Sequence, residues 1–229
     1  MNALKKTGVL LLILACIFVG SACSVQNDVP QVESKPAICG IWQMKINLTD
    51  EVNSRFSQII GDDLVLPETD IQLIYTMDIR EGEEIIMSMT LDEDSLDEYY
   101  EDLCDVVVDF AISYVAEDGM SQQELEDKCQ TEYGMSLREY VLSSLMDNTP
   151  VSSEWIPSVS ENGFYRIDGN KLWIAEGKES LSNTQSYMIF NLQGDTLTID
   201  SVGSNGEELS GESADLFGHK LPWKFDRVG

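Results

Sequence analysis

Tyr165-Arg166-Ile167-Asp168-Gly169-Asn170-Lys171-Leu172-Trp173-Ile174 reads as two alternating strands around a turn. The same design returns 25 residues later as Phe190-Asn191-Leu192-Gln193-Gly194-Asp195-Thr196-Leu197-Thr198-Ile199. Each copy sets Gly-Asn or Gly-Asp between apolar residues spaced by two. These are tight-hairpin residues because they tolerate positive φ. Two such hairpins in succession assign the C-terminal third of the chain to antiparallel β-structure.

The same period of two appears at both ends of the sequence. Near the start, Gly40-Ile41-Trp42-Gln43-Met44-Lys45-Ile46-Asn47-Leu48 places Trp42, Met44, Ile46 and Leu48 on one buried face. Ile71, Leu73, Tyr75, Met77 and Ile79 alternate over a longer strand, Glu81-Gly82 turns it, and Ile85, Met87 and Met89 alternate back. Trp223 and Phe225 mark a last strand in Leu221–Val228. Between the first two strands, Thr49-Asp50 opens a short helix whose stripe is Val52, Phe56, Ile59 and Ile60, and Gly61-Asp62-Asp63 ends it.

From Ser95 the period becomes helical. Three Ser/Glu pairs at capping-box spacing follow: Ser95/Glu98, Ser121/Glu124 and Ser136/Glu139. In the first helix Leu96, Tyr99, Leu103, Val107, Phe110 and Tyr114 form one apolar face, and Asp97, Glu101, Asp102, Asp105 and Asp109 occupy much of the rest. Gly119 and Gly134 sit where the first two helices should stop, and the third runs through Leu137, Tyr140, Val141, Ser144 and Leu145 to Asp147. A loop with Pro150 and Pro157 leads back to strands. Strands on both sides of a helical block imply one sheet system carrying an insertion. The expected class is therefore α+β: an antiparallel up-and-down barrel of about eight strands over residues 38–229, with about three helices inserted at 95–147. Closure would make the first and last strands neighbours.

Gly40-Ile41-Trp42 on the first strand, with the repeated hairpins, resembles the lipocalin and calycin barrels and the lipocalin-like lipoproteins of bacteria. The resemblance covers residues 38–90 and 160–229. It implies a tryptophan at the barrel base packed on an arginine of the last strand, which assigns Gly40, Trp42 and Arg227 as a structural signature. The helical block between early and late strands departs from that family, whose helix lies near the end of the chain.

The N-terminus has its own grammar. Lys5-Lys6, an apolar stretch from Val9 to Val19 and the small residues Gly20-Ser21-Ala22 precede Cys23, the order of a secretory signal. The apolar stretch is shorter than the 17–25 residues or so that a spanning helix needs. Val19-Gly20-Ser21-Ala22-Cys23 resembles a bacterial lipoprotein signal, with Gly20 where that family most often has leucine. The resemblance implies cleavage after residue 22, a diacylglycerol on the Cys23 thiol, and tethering at the extracytoplasmic face of a cell membrane. Cys16 is a second cysteine after small and apolar residues, but lipidation there leaves Ile17-Phe18-Val19 as an apolar start to the mature chain. Residues 23–37 follow as the lipidated cysteine and a polar, proline-containing tether.

The full chain of 229 residues has 14 basic and 41 acidic side chains, a net charge of −27. Losing residues 1–22 removes Lys5 and Lys6 and takes it to −29. Such a chain is unsuited to nucleic acid, which needs clustered Lys and Arg. It is equally unsuited to electrostatic adhesion on anionic lipid, so the membrane partner is reached through the lipid on Cys23. The acidity serves solubility or selects a basic partner.

Cys39, Cys104 and Cys129 remain in the mature chain, an odd number with no zinc spacing. Antiparallel packing around Gly119 would leave Cys104 and Cys129 about 10 Å out of step along the helices, beyond disulfide reach. Asp62-Asp63, Glu81–Glu84 and Asp92-Glu93-Asp94 lack calcium-loop spacing and read as solvated turns. The single histidine, His219, reads as a turn residue. With no phosphate loop, nucleophile elbow or metal motif, neither a catalytic residue nor a cofactor is assigned.

The expected function is that of a lipid-anchored, extracytoplasmic, non-enzymatic binding protein. Its barrel would hold a small apolar ligand or the protein would meet a surface partner, with Tyr75, Met77, Met87, Tyr99, Phe110 and Tyr114 as the ligand-lining candidates. The alternative is an interaction protein whose barrel is filled by its own side chains and whose acidic helices dock a basic protein. Bulk at the inward positions Trp42, Met44, Ile46, Tyr75, Met77, Met87 and Met89 discriminates between them.

Overall fold

Gly169 and Gly194 take φ values of 62° and 61°, while neither Asn170 nor Asp195 has positive φ. A left-handed glycine at the first central position makes each a two-residue hairpin turn of the II′ kind, matched to strand twist. A computed structural model describes residues 37–60, 64–147, 158–204, 207–211 and 214–228. The signal, Cys23, residues 24–36 of the tether, Gly61-Asp62-Asp63, Pro150 and Pro157 lie outside the described residues.

The first hairpin joins β4 (Val159–Asp168) to β5 (Lys171–Ala175), the second β6 (Tyr187–Gln193) to β7 (Thr196–Ser204). Before them come β1 (Gly40–Asn47), β2 (Gln72–Ile79) and β3 (Glu84–Leu91). After them come β8 (Glu207–Ser210), the two-residue strands β9 (Asp215–Leu216) and β10 (His219–Lys220), and β11 (Trp223–Arg227). Strand order runs β11-β1-β2-β3-β4-β5-β6-β7, and β7 also pairs with β11, so eight antiparallel strands close into a barrel. First and last strands are neighbours, with Trp42 opposite Arg227.

Strand β7 serves two partners along its edge away from β6. Thr196–Ile199 pair with β11 to close the barrel, and Ser201–Ser204 pair with β8 outside it. The register against β6 slips between Ile189 and Phe190, leaving Asp200 as the extra residue of a bulge. A bulge bends its strand, which is what a strand needs in order to leave a closed ring. His219 lies in a short strand paired with Leu216, not in the turn expected for it.

The chain divides into two compact units. One holds the described residues of Met1–Met44, Tyr75–Met89 and Val159–Gly229, the other those of Lys45–Ile74 and Thr90–Ser158. In the first, the alternating residues of β1, β2, β3, β5, β7 and β11 are buried as their period demands. The second contains α1 (Thr49–Ile60), α2 (Glu93–Glu117), α3 (Gln122–Tyr133) and α4 (Leu137–Asp147). Val52 and Phe56 of α1 are buried, and the Ile59 and Ile60 side chains lie outside the described set.

Two expectations for the helices need correction. Helix α2 starts at Glu93 behind Asp92, so Ser95 is inside the first turn and does not cap. Its Oγ donates to the Asp92 carbonyl (2.8 Å) and accepts from the Gln72 amide (3.0 Å). Asp92-Glu93-Asp94 is thus a helix start, with acids favourably placed at the positive end, not a solvated turn. The pairs Ser121/Glu124 and Ser136/Glu139 do form reciprocal caps. Gly119 and Gly134, at φ 82° and 75°, end α2 and α3 as expected. Cys104, Cys129, Leu137 and Val141 make one apolar cluster at the centre of α2–α4, and Cys39, Cys104 and Cys129 are all buried and free.

Candidate functional site

The barrel base is built on Gly40, Trp42 and Arg227. Strand pairing sets Trp42 beside Arg227, and the guanidinium carbon lies 4.2 Å from the indole centroid. Arg227 Nη1 donates to the Cys39 carbonyl (2.8 Å), Nη2 to the Ala37 carbonyl (2.9 Å), and Nε faces Asp195 at 3.3 Å. The Trp42 indole N–H donates to the Ile38 carbonyl (2.8 Å). A Cβ on Gly40 would meet Arg227 Nη1 at 2.5 Å, so the glycine is what lets the guanidinium pass. The three signature residues come together and clamp the incoming chain.

Above the base, bulky inward side chains pack the barrel, Met44, Tyr75 and Met89 keeping 8%, 7% and 5% of their surface and Trp42, Met77 and Met87 less. Trp42, Met77, Ile85, Leu172, Leu197, Ile199 and Phe225 have no exposed surface, and Met87 has 1%. A side chain bordering a water-sized cavity would keep accessible area, and these keep almost none. Tyr75 packs edge-on against Phe225 at 5.3 Å, and its hydroxyl donates to Met87 Sδ at 3.7 Å. Burial pushes the Tyr75 phenol far above its usual range, with the Glu161 charge adding to the effect. Tyr75, Met77 and Met87, expected to line a ligand site, are core residues of this interior.

Sequence reasoning missed Glu161. It shares the face of β4 with buried Gly163 and Tyr165 and stands opposite Met87. Its Oε2 is buried without a hydrogen-bond partner. Burial raises its carboxyl pKa, and Glu176 raises it further. The alternation Glu161-Gly163-Tyr165 was the available signal, but it carries too little apolar character to announce a strand.

The opposite face of the same strands carries a second unforeseen group. Arg166 lies 4.6 Å over the Trp173 ring, Lys171 lies 4.3 Å over Tyr187, and the two rings are 5.0 Å apart. Tyr187 lies across Gly203 so closely that a Cβ there would be 2.3 Å from its ring. This is a packed cation–aromatic plate stabilising the outside of β4–β7.

The helical unit holds the other three ligand candidates, and they part company. Tyr99 is buried, packs against Phe56 (6.1 Å) and donates to Asn53 Oδ1 (2.5 Å). Phe110 and Tyr114 do not line a buried contact: they are 43% and 62% exposed and stack on each other at 6.3 Å. The reason lies in the helix packing. Along the second half of α2, Val107, Val108 and Ile112 turn toward the Cys104–Cys129–Leu137–Val141 cluster, leaving the Phe110–Tyr114 side uncovered. Compared with known proteins, the chain matches no family model, no curated protein and no solved structure.

Proposed function

We propose that this is a lipid-anchored extracytoplasmic interaction protein, held to the membrane through Cys23, whose acidic helices dock a basic protein partner. The observation that carries the reading is the filled interior: Trp42, Met77, Leu197 and Phe225 leave no room beside them for a guest. On this reading the barrel is a rigid mount, and the binding surface belongs to the insertion. Additions to a rigid scaffold are the usual place for such surfaces.

The charge supports the same direction. Residues 93–147 contain sixteen acidic and two basic side chains, a net charge of −14. A field of that sign steers a cationic partner inward and repels anionic lipid and nucleic acid. Native mass spectrometry of the mature chain, purified without refolding, tests the reading. The expected spectrum has the mass of the lipidated polypeptide alone. A bound species of a few hundred daltons that leaves on denaturation returns the function to small-ligand binding.

A further inference from the structure

The apolar face of α2 outlasts its packing. Tyr99 and Leu103 are buried, and on the same face, two turns further along, come the exposed and stacked Phe110 and Tyr114. Nothing in the cluster of Cys104, Cys129, Leu137 and Val141 uses these rings. Exposed aromatic pairs are uncommon on a surface with no partner, because each ring forfeits a large burial gain.

The charges around the pair are sorted. Arg138, one of the two cations in residues 93–147, is committed to Glu101 (2.6 Å) and Asp105 (3.1 Å). Asp109 precedes Phe110 in the chain, and Glu117 and Asp118 lie three and four residues beyond Tyr114, one helical turn away. Among the described residues none of these three carboxylates has an ion-pair partner.

We infer that Phe110 and Tyr114, with Asp109, Glu117 and Asp118, are the docking site for an arginine-bearing segment of the basic partner. The inference rests on the reading above that the partner is basic. A guanidinium stacks flat on an aromatic ring and pairs in a fork with a carboxylate, whereas an ammonium offers only a point charge. Among the described residues the chain uses this contact twice within itself, Arg227 over Trp42 and Arg166 over Trp173. A second copy of the chain is a poorer occupant, since it brings the same −14 to the contact.

The test is a binding titration of the mature chain with a twelve-residue alanine-based peptide carrying arginine at every fourth position. A lysine version and a glutamate version serve as comparators. The arginine peptide is expected to bind more tightly than the lysine one, and the glutamate one not at all. Phe110→Ala with Tyr114→Ala should weaken arginine-peptide binding about tenfold, the scale of a desolvated cation–aromatic contact. Both side chains are exposed, so an unchanged melting curve certifies the fold of the variant. Asp109→Asn with Glu117→Gln should flatten the salt dependence.

If the peptide binds wild type and the aromatic double variant equally, this site is overturned while the basic-partner reading stands. If neither cationic peptide binds, both are overturned. If sedimentation shows a dimer that the aromatic double variant loses, the occupant is a second copy and the arginine proposal fails.

Discussion

Arg227 and Trp42 form the contact that ties the end of the chain to its start, the guanidinium carbon 4.2 Å above the indole ring and its N–H groups on the carbonyls of Cys39 and Ala37. The arginine therefore does three things at once. It stacks on the first strand, holds the segment that enters the barrel, and lies in the pair of strands whose bonding closes the ring. Arg227→Ala should cost about 2–4 kcal/mol, combining a cation–aromatic contact with charge-assisted hydrogen bonds. Arg227→Lys should recover little of it, because an ammonium cannot reach two carbonyls while stacking. Gly40→Ala should cost a comparable amount, since its Cβ would meet Arg227 Nη1 at 2.5 Å. Denaturant unfolding of the three variants checks this, and an Arg227→Lys protein as stable as wild type would refute the stacking account.

Met77 has no exposed surface and shares the buried face of β2 with Tyr75, whose ring packs on Phe225. Met77→Ala should lose about 2–5 kcal/mol and leave a dry cavity, while Met77→Leu should lose less than about 1.5 kcal/mol. The cavity gives a second readout. Benzene should raise the melting temperature of Met77→Ala and leave wild type unchanged, because an apolar void of this kind takes apolar guests. Equal stabilisation of both proteins would mean that the native barrel already has room.

Ser95 and Ser121 have the same sequence signature and different jobs. Ser121 caps α3, accepting from the Glu124 amide at 3.3 Å, and Ser121→Ala should cost about 1 kcal/mol. Ser95 instead accepts the Gln72 amide N–H, so Ser95→Ala orphans a half-buried donor and should cost about 1–3 kcal/mol. Unfolding midpoints rank the two. A Ser95→Ala protein indistinguishable from wild type would show that water satisfies Gln72 just as well.

The strands were legible because a half-buried strand writes its burial directly as a period of two, and Trp42, Met77, Met87, Leu197 and Phe225 all obey it. Helix α2 was legible as a helix but not in its surroundings. Amphipathic spacing tells which side is apolar, and only packing decides whether α3 and α4 cover Phe110 or Val108. Its start was misplaced because Asp92 and Ser95 are both good caps three residues apart, and local spacing cannot choose between them. The short strands β8–β10 carry too few residues to show any period. Glu161 escaped for a different reason: a carboxylate on an inward position contradicts the pattern by which strands are found.

That carboxylate gives the pH prediction. Glu161 stands opposite Met87 with a buried, unpartnered Oε2, and burial first, then Glu176, raises its pKa in the folded protein. The fold therefore takes up this proton more readily than the unfolded chain does. Below the unfolded glutamate value of about 4.3 both states are protonated and Glu161 costs nothing. As pH rises from there through the raised folded value, ionisation penalises the fold, and above it the penalty is constant. Glu161→Gln removes the penalty, so the variant should be more stable than wild type at pH 7 and should converge with it near pH 4. Glu124 and Glu139 act with the opposite sign. Backbone N–H bonds from Ser121 and Ser136 lower their folded pKa values, so their contributions hold above the unfolded value and fade as pH falls through the folded one. Both are present in each protein and cancel in the difference between the two stability curves. A difference that widens toward acid pH, or one that is flat and zero throughout, would mean that Glu161 reaches water and is not held in the barrel wall.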